Sequence, residues 1–468
     1  MSKRNIILIA IILVIIAFFA FGFMYLYKPA NNTGGDTGST NFLSNFFPFG
    51  KSTNVKDNNN GTSPVDVSGY IPTTTPSTQT PAKELLVKIS SMPVAGYGVF
   101  MKERFKDVVI QTPAPEATTT TTIDTNKTNT PPTVADTKKG VLSQKIIPMA
   151  PSTEFVPSIR YVERATGNIY QTFADNIDER KFTTTMIPMV HDAFFGKNDD
   201  SVVMRYLTTD TNLIDSFIGI LPKEILGGDT SISNEVTGSF LPENITDISV
   251  SPDGSYIFYL LKNNDSIIGS TATSYGDTKN QIFTSPFTEW LSQWPNDRMI
   301  TLTTKPSAVF LGSVYSLDPN TKNFTKIFGG ISGMTTLTSP NGKLILYNNN
   351  NLSLRIYNVD TKDSVSVGVK TMPEKCVWNK ASTELYCAVP GYITGNNYPD
   401  TWYMGETSFS DNIWKINIEN GSTTQIADPT SFSSGEEIDG IKLSLDDSEK
   451  YLFFVNKKDS YLWEFNLK

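Results

Sequence analysis

The chain of 468 residues carries one histidine, His191, and two cysteines, Cys376 and Cys387, so the chemistry open to it is narrow. A Ser-His-Asp triad would have to run through His191. Its setting, MVHDAFF, is an apolar alternation at the start of a strand, where an imidazole more often packs or hydrogen-bonds than catalyses. Zinc centres built on several His or Cys ligands are excluded by count; a calcium site of backbone and Asp oxygens stays open, but no D-x-D-x-D-G loop supports one. No metal and no cofactor is therefore expected. Paired carboxylates that cleave glycosidic bonds are assembled by folding and leave no motif. An envelope glycan hydrolase or lyase working through acidic residues thus stays open as an alternative.

The two cysteines fall on either side of a turn in EKCVWNKASTELYCAVP (Glu374 to Pro390). With that turn centred between Ala381 and Ser382, they stand directly opposite one another on paired strands, at a separation a disulfide bridges. A bond is expected in an oxidising compartment; two buried thiols are the other reading.

Binding chemistry concentrates in GYITGNNYPDTWYMGETSFS (Gly391 to Ser410). Tyr392, Tyr398, Trp402, Tyr403 and Phe409 stand there beside Asp400 and Glu406, a mixture of aromatic anchors and polar groups found at contact surfaces. The same aromatics are equally suited to packing the loop onto its scaffold. Arg164 and Lys305, from RYVERATG and TKPSA, are expected on the same face, as is a second long loop, Lys262 to Asn280.

The elements that position these residues repeat. VSPDGSYIFYL (Val250 to Leu260) and LTSPNGKLILYN (Leu337 to Asn348) share a strand end, a tight turn and a second alternating strand. His191 to Leu207, Glu289 to Lys305, Glu374 to Pro390 and Gly440 to Asn456 follow the same grammar with other turn residues. Third and fourth strands follow in Ser313 to Phe328, Leu354 to Val369 and Asn412 to Ala427. Four strands per unit of about 40 to 50 residues is the arithmetic of a propeller blade. A further blade is expected from Ile159 to Phe173 with Val94 to Met101 as its inner strand, interrupted by a Thr- and Pro-rich insertion at about 104–155. The last blade ends on its third strand, SYLWEFNLK, and Leu85 to Ile89 can supply the fourth, closing the ring without an open sheet edge. The fold expected is all-β: seven four-stranded antiparallel blades, with six blades plus a separate strand pair as the alternative. Trp290, Trp294, Trp378, Trp414 and Trp463 are expected between blades rather than on a sugar-stacking platform.

The SPDG and SPNG turns followed by an apolar-aromatic strand resemble the repeats of TolB-type, WD-repeat-like β-propellers. The resemblance covers most of residues 84–468. It implies a platform for proteins or other ligands, and it carries no enzyme activity over.

The chain opens with Lys3 and Arg4, then runs uncharged from Asn5 to Tyr27. About twenty apolar residues span a hydrocarbon core of about 30 Å, so 6–27 reads as one transmembrane helix, with 1–5 cytoplasmic and the remainder extracytoplasmic. A cleaved signal peptide would have a shorter apolar run and a small-residue cleavage site. Residues 28–82, rich in Asn, Thr, Gly, Ser and Pro, read as a disordered linker, interrupted by the aromatic NFLSNFFPFG. With 47 acidic against 39 basic residues the net charge is −8, which argues against a nucleic-acid partner. The function these features point to is a membrane-anchored, non-catalytic binding platform for a protein or a cell-envelope ligand. A self-associating surface-layer component is a third possibility.

Overall fold

The computed structural model describes residues 85–106, 152–208, 213–226, 234–432 and 435–467. The anchor expected at 6–27, the linker at 28–82 and most of the insertion lie outside them. All described residues belong to one unit, Thr80–Lys468.

Strand β1 (Leu86–Lys88) opens this unit and is the outermost strand of the last blade. Blade 1 is β2 (Val94–Phe105), β3 (Thr153–Glu163), β4 (Ile169–Phe173) and β5 (Arg180–Lys181); blade 2 is β6 (Val190–Phe195), β7 (Ser201–Leu207), β8 (Ile214–Ile220) and β9 (Thr237–Phe240). Blade 3 holds β10 (Ile245–Val250), β11 (Tyr256–Asn263), β12 (Ser266–Thr273) and β13 (Asn280–Ser285); blade 4 holds β14 (Trp290–Asn296), β15 (Met299–Thr304), β16 (Leu311–Leu317) and β17 (Phe324–Ser332). Blade 5 is β18 (Thr336–Thr338), β19 (Leu344–Tyr347), β20 (Ser353–Asn358) and β21 (Ser364–Lys370). Blade 6 is β22 (Cys376–Trp378), β23 (Glu384–Pro390), β24 (Asp411–Asn417) and β25 (Thr423–Ala427). Blade 7 combines β26 (Gly440–Leu445), β27 (Tyr451–Asn456) and β28 (Leu462–Asn466) with β1, which pairs antiparallel to β28, Leu86 opposite Phe465. The ring is therefore a seven-bladed propeller closed by strand β1, and a β-propeller is the class of fold that the TolB-type resemblance implies.

Local chemistry explains the turns between first and second strands. In blade 3 the Tyr256 N–H donates to Ser251 Oγ at 2.9 Å, and Gly254 adopts the left-handed conformation at φ +70°. Blade 5 repeats this with Leu344 N–H to Ser339 Oγ at 3.0 Å and Gly342 at φ +72°. Blades 6 and 7 keep the geometry with other residues. Asn379 Oδ1 accepts from Glu384 N at 3.0 Å and Ser382 is left-handed; Asp446 Oδ1 accepts from Tyr451 N at 2.7 Å and Glu449 is left-handed. A short polar side chain satisfies the strand's first N–H, and the fourth turn position takes positive φ. Blade 2 fills that fourth position with Asp199, at φ +52°.

Alternating apolar residues pack between neighbouring blades. Phe182 and Val162 of blade 1 meet Met204 and Phe217 of blade 2, while Leu86 and Trp463 of blade 7 meet Tyr386 and Ile413 of blade 6. Trp290, Trp378 and Trp463 are buried in these seams.

Two sequence expectations need correction. Lys262 to Asn280 is not a long loop, because β12 runs through it, paired residue for residue with β11; its Ser, Thr and Gly content hid a strand whose partners supply the apolar surface. The insertion is narrower than 104–155, since β2 and β3 stay paired out to Phe105 opposite Thr153.

Candidate functional site

The turns between first and second strands gather on one face, which we call the turn face; the connections from second to third and from fourth to first strands gather on the other, the loop face. Gly391–Ser410 joins β23 to β24 on the loop face, its neck closed by Gly391 N–H to Ser410 O at 2.9 Å. Buried aromatics pin it to the scaffold. Tyr398, Trp402 and Phe409 are buried with Leu352 and Met372 from blade 5 and its exit. Gly333, left-handed at φ +70°, lets the backbone of Tyr398 approach: a Cβ there would stand 2.6 Å from Tyr398 O.

Polar contacts fix the second half of the loop from two sides. Asp400 opens a single helical turn, Asp400–Tyr403, and its Oδ2 accepts from Ala308 N at 2.9 Å and Ser307 Oγ at 3.2 Å, both in the β15–β16 connection of blade 4. On the other side Trp402 Nε1 donates to Asp439 Oδ2 at 3.0 Å, and Lys457 Nζ donates to Trp402 O at 2.6 Å while lying 4.4 Å from the indole centroid. Asp439 also accepts from Phe409 N at 3.1 Å and Ser408 Oγ at 3.2 Å.

Behind this clamp lies a fully buried charge node. Lys375 Nζ bonds Asp411 Oδ2 at 2.7 Å, Asp439 Oδ1, and the carbonyl of Gly440 at 3.1 Å. Burial pushes the Asp411 carboxyl up to about 6, opposed by Lys375 and helped by Asp439. Asp439 sits below its ordinary value: burial acts upward, but Lys375 and the donors from Phe409 and Trp402 outweigh it.

The residues singled out in the sequence divide accordingly. Tyr398 and Trp402 are scaffold, and Asp400 is a clamp. Tyr403 donates to Glu374 and keeps part of its ring in solvent, while Tyr392 and Glu406 are exposed. Lys305 pairs with Glu289 at 2.9 Å on the surface, and Arg164 donates to Ser460 Oγ at 2.8 Å across the seam between blades 1 and 7. The loop face also carries what sequence reading missed. Val309, Phe310 and Leu311 are 79%, 75% and 68% exposed, next to the Ala308 that Asp400 clamps, and Met404 at the end of the helical turn is 65% exposed. Read along the chain, AVFLGSVY looks like the start of a strand, and three consecutive apolar residues there gave no sign of facing water.

Inside the ring, Lys442 Nζ bonds Asp192 and the carbonyl of Ala95, the latter at 2.7 Å, joining blades 7, 1 and 2. Asp247 Oδ2 accepts from Ser292 N at 2.6 Å and Oγ at 2.7 Å; burial lifts it to about 6 against those hydrogen bonds. His191 is lowered by burial and by the nearby Arg205, and its Nε2 has no hydrogen-bond partner. Cys376 and Cys387 form a disulfide, in the register expected. Among the described residues no group of three or more His, Cys, Asp or Glu is placed to hold a metal ion.

Fold and site together define a seven-bladed β-propeller with a clamped, partly apolar loop face. No protein-family model and no curated protein matches the chain. Among solved structures it is similar to an oligogalacturonate lyase from Vibrio parahaemolyticus, with 9% identity and a TM-score of 0.46 over 66% of this chain and 86% of that one. It is also similar to TolB from Acinetobacter baumannii, with 9% identity and a TM-score of 0.36 over 56% of this chain and 59% of that one. A puromycin-hydrolysing peptidase from Mycobacterium tuberculosis shows 12% identity and a TM-score of 0.41 over 64% of this chain and 48% of its own. At such identities none of these likenesses speaks to activity.

Proposed function

We propose that the protein is a membrane-anchored, extracytoplasmic binding platform that docks another protein on its loop face without performing chemistry. The observation that carries this reading is the exposed run Val309–Phe310–Leu311, which follows the Ala308 bonded to Asp400 of the helical turn that bears Tyr403 and exposed Met404 at its end. Consecutive exposed apolar residues are a liability in a soluble protein unless a partner covers them. Each large apolar side chain gains about 1.5–3 kcal/mol on full burial, enough for a few of them to anchor an interface. Asp400 ties the helical turn to the Phe310 connection, so the surface is held in one arrangement before a partner arrives. The uncharged run from Asn5 to Tyr27 behind Lys3 and Arg4 supports the anchor, and the closed disulfide suits an oxidising compartment.

The test is capture of envelope proteins by the full chain and by Phe310→Ser/Met404→Ser, with Phe155→Ser, a remote exposed aromatic at 65%, as control. Capture that survives Phe155→Ser and is lost in the double variant supports the reading. Capture equal in all three proteins overturns the assignment of this face. Replacing Gly391–Ser410 outright would remove buried scaffold and mislead.

A second reading, an envelope glycan hydrolase or lyase, draws on Asp247 and Glu374. Both carboxyls are raised by burial, and Asp247 adds to the rise of Glu374. Glycan turnover abolished by Asp247→Asn would establish it.

A further inference from the structure

We infer that the turn face holds a second site, independent of the loop face, which binds an alkylammonium group through the carboxylate of Asp199. A cavity of about 390 Å³ opens there, lined by Tyr97, Val99, Phe195, Asp199, Ser251 and Asp447 among others, and built from blades 1, 2, 3 and 7. Asp199 is 4% exposed, and its Oδ2 has no hydrogen-bond partner. The other acids of the cavity are occupied: Asp253 Oδ1 accepts from Ser251 Oγ at 2.7 Å and Ser255 N at 3.1 Å, and Asp447 pairs with Lys380 at 2.5 Å. A buried carboxyl oxygen without a donor is costly once ionised, so the group holds its proton until a cation reaches it.

Comparison between blades sharpens the point. Asp199 fills the left-handed turn position that blades 3 and 5 give to Gly254 and Gly342, where only glycine is free of strain. Among the residues that replace glycine there, Ser382 is small and Glu449 accepts from Lys380 N at 3.1 Å in the open. Of the three, Asp199 alone has a buried side-chain oxygen, Oδ2, without a donor. Room for its carboxylate comes from Gly98 on β2, where a Cβ would stand 2.3 Å from Oδ1.

The charges around it set the chemistry. Arg160 donates to the backbone carbonyl of Asp199 at 2.6 Å and not to its Oδ2. Burial pushes the Asp199 carboxyl up to about 8, opposed by Arg160 and helped by Asp200; Lys197 and Asp253 complete the charged surroundings. The cavity wall is mainly polar, so the ammonium group and not its stem carries recognition, and on binding it displaces the proton from Asp199. That group belongs either to a free amine or to a lysine presented by a protein.

Calorimetric titration of the full chain with 1,5-diaminopentane tests this, with pentan-1-ol as the uncharged control and a blocked Gly-Lys-Gly peptide as the second arm. Saturable amine binding is expected to tighten toward tenfold per pH unit between pH 6 and about 8, flatten above, and release one proton per site. Binding of the peptide as well assigns the site to lysine side chains; binding of the diamine alone assigns it to free amines. Asp199→Asn should abolish binding while Asp253→Asn leaves it within a few-fold. Equal binding by pentan-1-ol, pH-independent affinity, or no saturation overturns the inference, and the proton-release readout needs no variant.

Discussion

Lys375→Met removes the one cation of a node whose two carboxylates, Asp411 and Asp439, are fully buried. Breaking such a pair from one side costs about 3–5 kcal/mol, because the remaining charge is left without compensation. Here two carboxylates are left, and Asp439 also holds Trp402, Ser408 and Phe409 of the loop. The loss should fall in the upper part of that range at pH 8. It should shrink at pH 5. Asp411 already titrates near 6, above its ordinary 3.8, with Lys375 drawing it down; without Lys375 it must rise further. A group raised in the fold costs nothing below its unfolded value and its full penalty above its folded one. Urea denaturation of the full chain at pH 5 and pH 8 reads this difference, and limited proteolysis within Gly391–Ser410 reads release of the loop. Adding Asp411→Asn to Lys375→Met should recover part of the stability. A loss below about 1 kcal/mol, or a larger loss at pH 5 than at pH 8, would refute the reasoning.

Asp199→Gly should stabilise the fold by about 1–2 kcal/mol through relief of the left-handed backbone alone. A further gain is absent below pH 4 and complete above pH 8, because Asp199 is held near 8 in the fold against 3.8 ordinarily; denaturation midpoints at pH 4 and pH 9 check both parts. Cys376→Ala/Cys387→Ala opens a covalent loop with a sequence separation of 11, and a loop of that size predicts a loss of about 2–4 kcal/mol. Thermal melts with and without reductant measure it, and an unchanged melting temperature in reductant would show that the bond adds nothing.

What the sequence by itself determined are the features whose causes are local. A Ser, Asn or Asp that accepts the N–H five residues on, with a left-handed fourth position, recurs at Ser251, Ser339, Asn379 and Asp446. Once that turn is placed, strand alternation sets the register, which is why Cys376 and Cys387 were expected opposite one another and are. Ring closure was legible because an unpaired third strand at one end of the chain needs a fourth, and Leu86–Lys88 was the segment to supply it. Tertiary structure decided the rest. Whether Tyr398 and Trp402 face a partner or the core depends on Gly333, Leu352 and Met372 brought beneath them by the neighbouring blade. The Lys375 node joins residues 64 positions apart, and the Asp400 clamp reaches back 92 to Ala308. Asp199 reads along the chain as one more solvated turn acid in KNDD. Only the ring turns it inward against Gly98, because burial is a property of what the other blades bring to a residue and not of its neighbours in sequence.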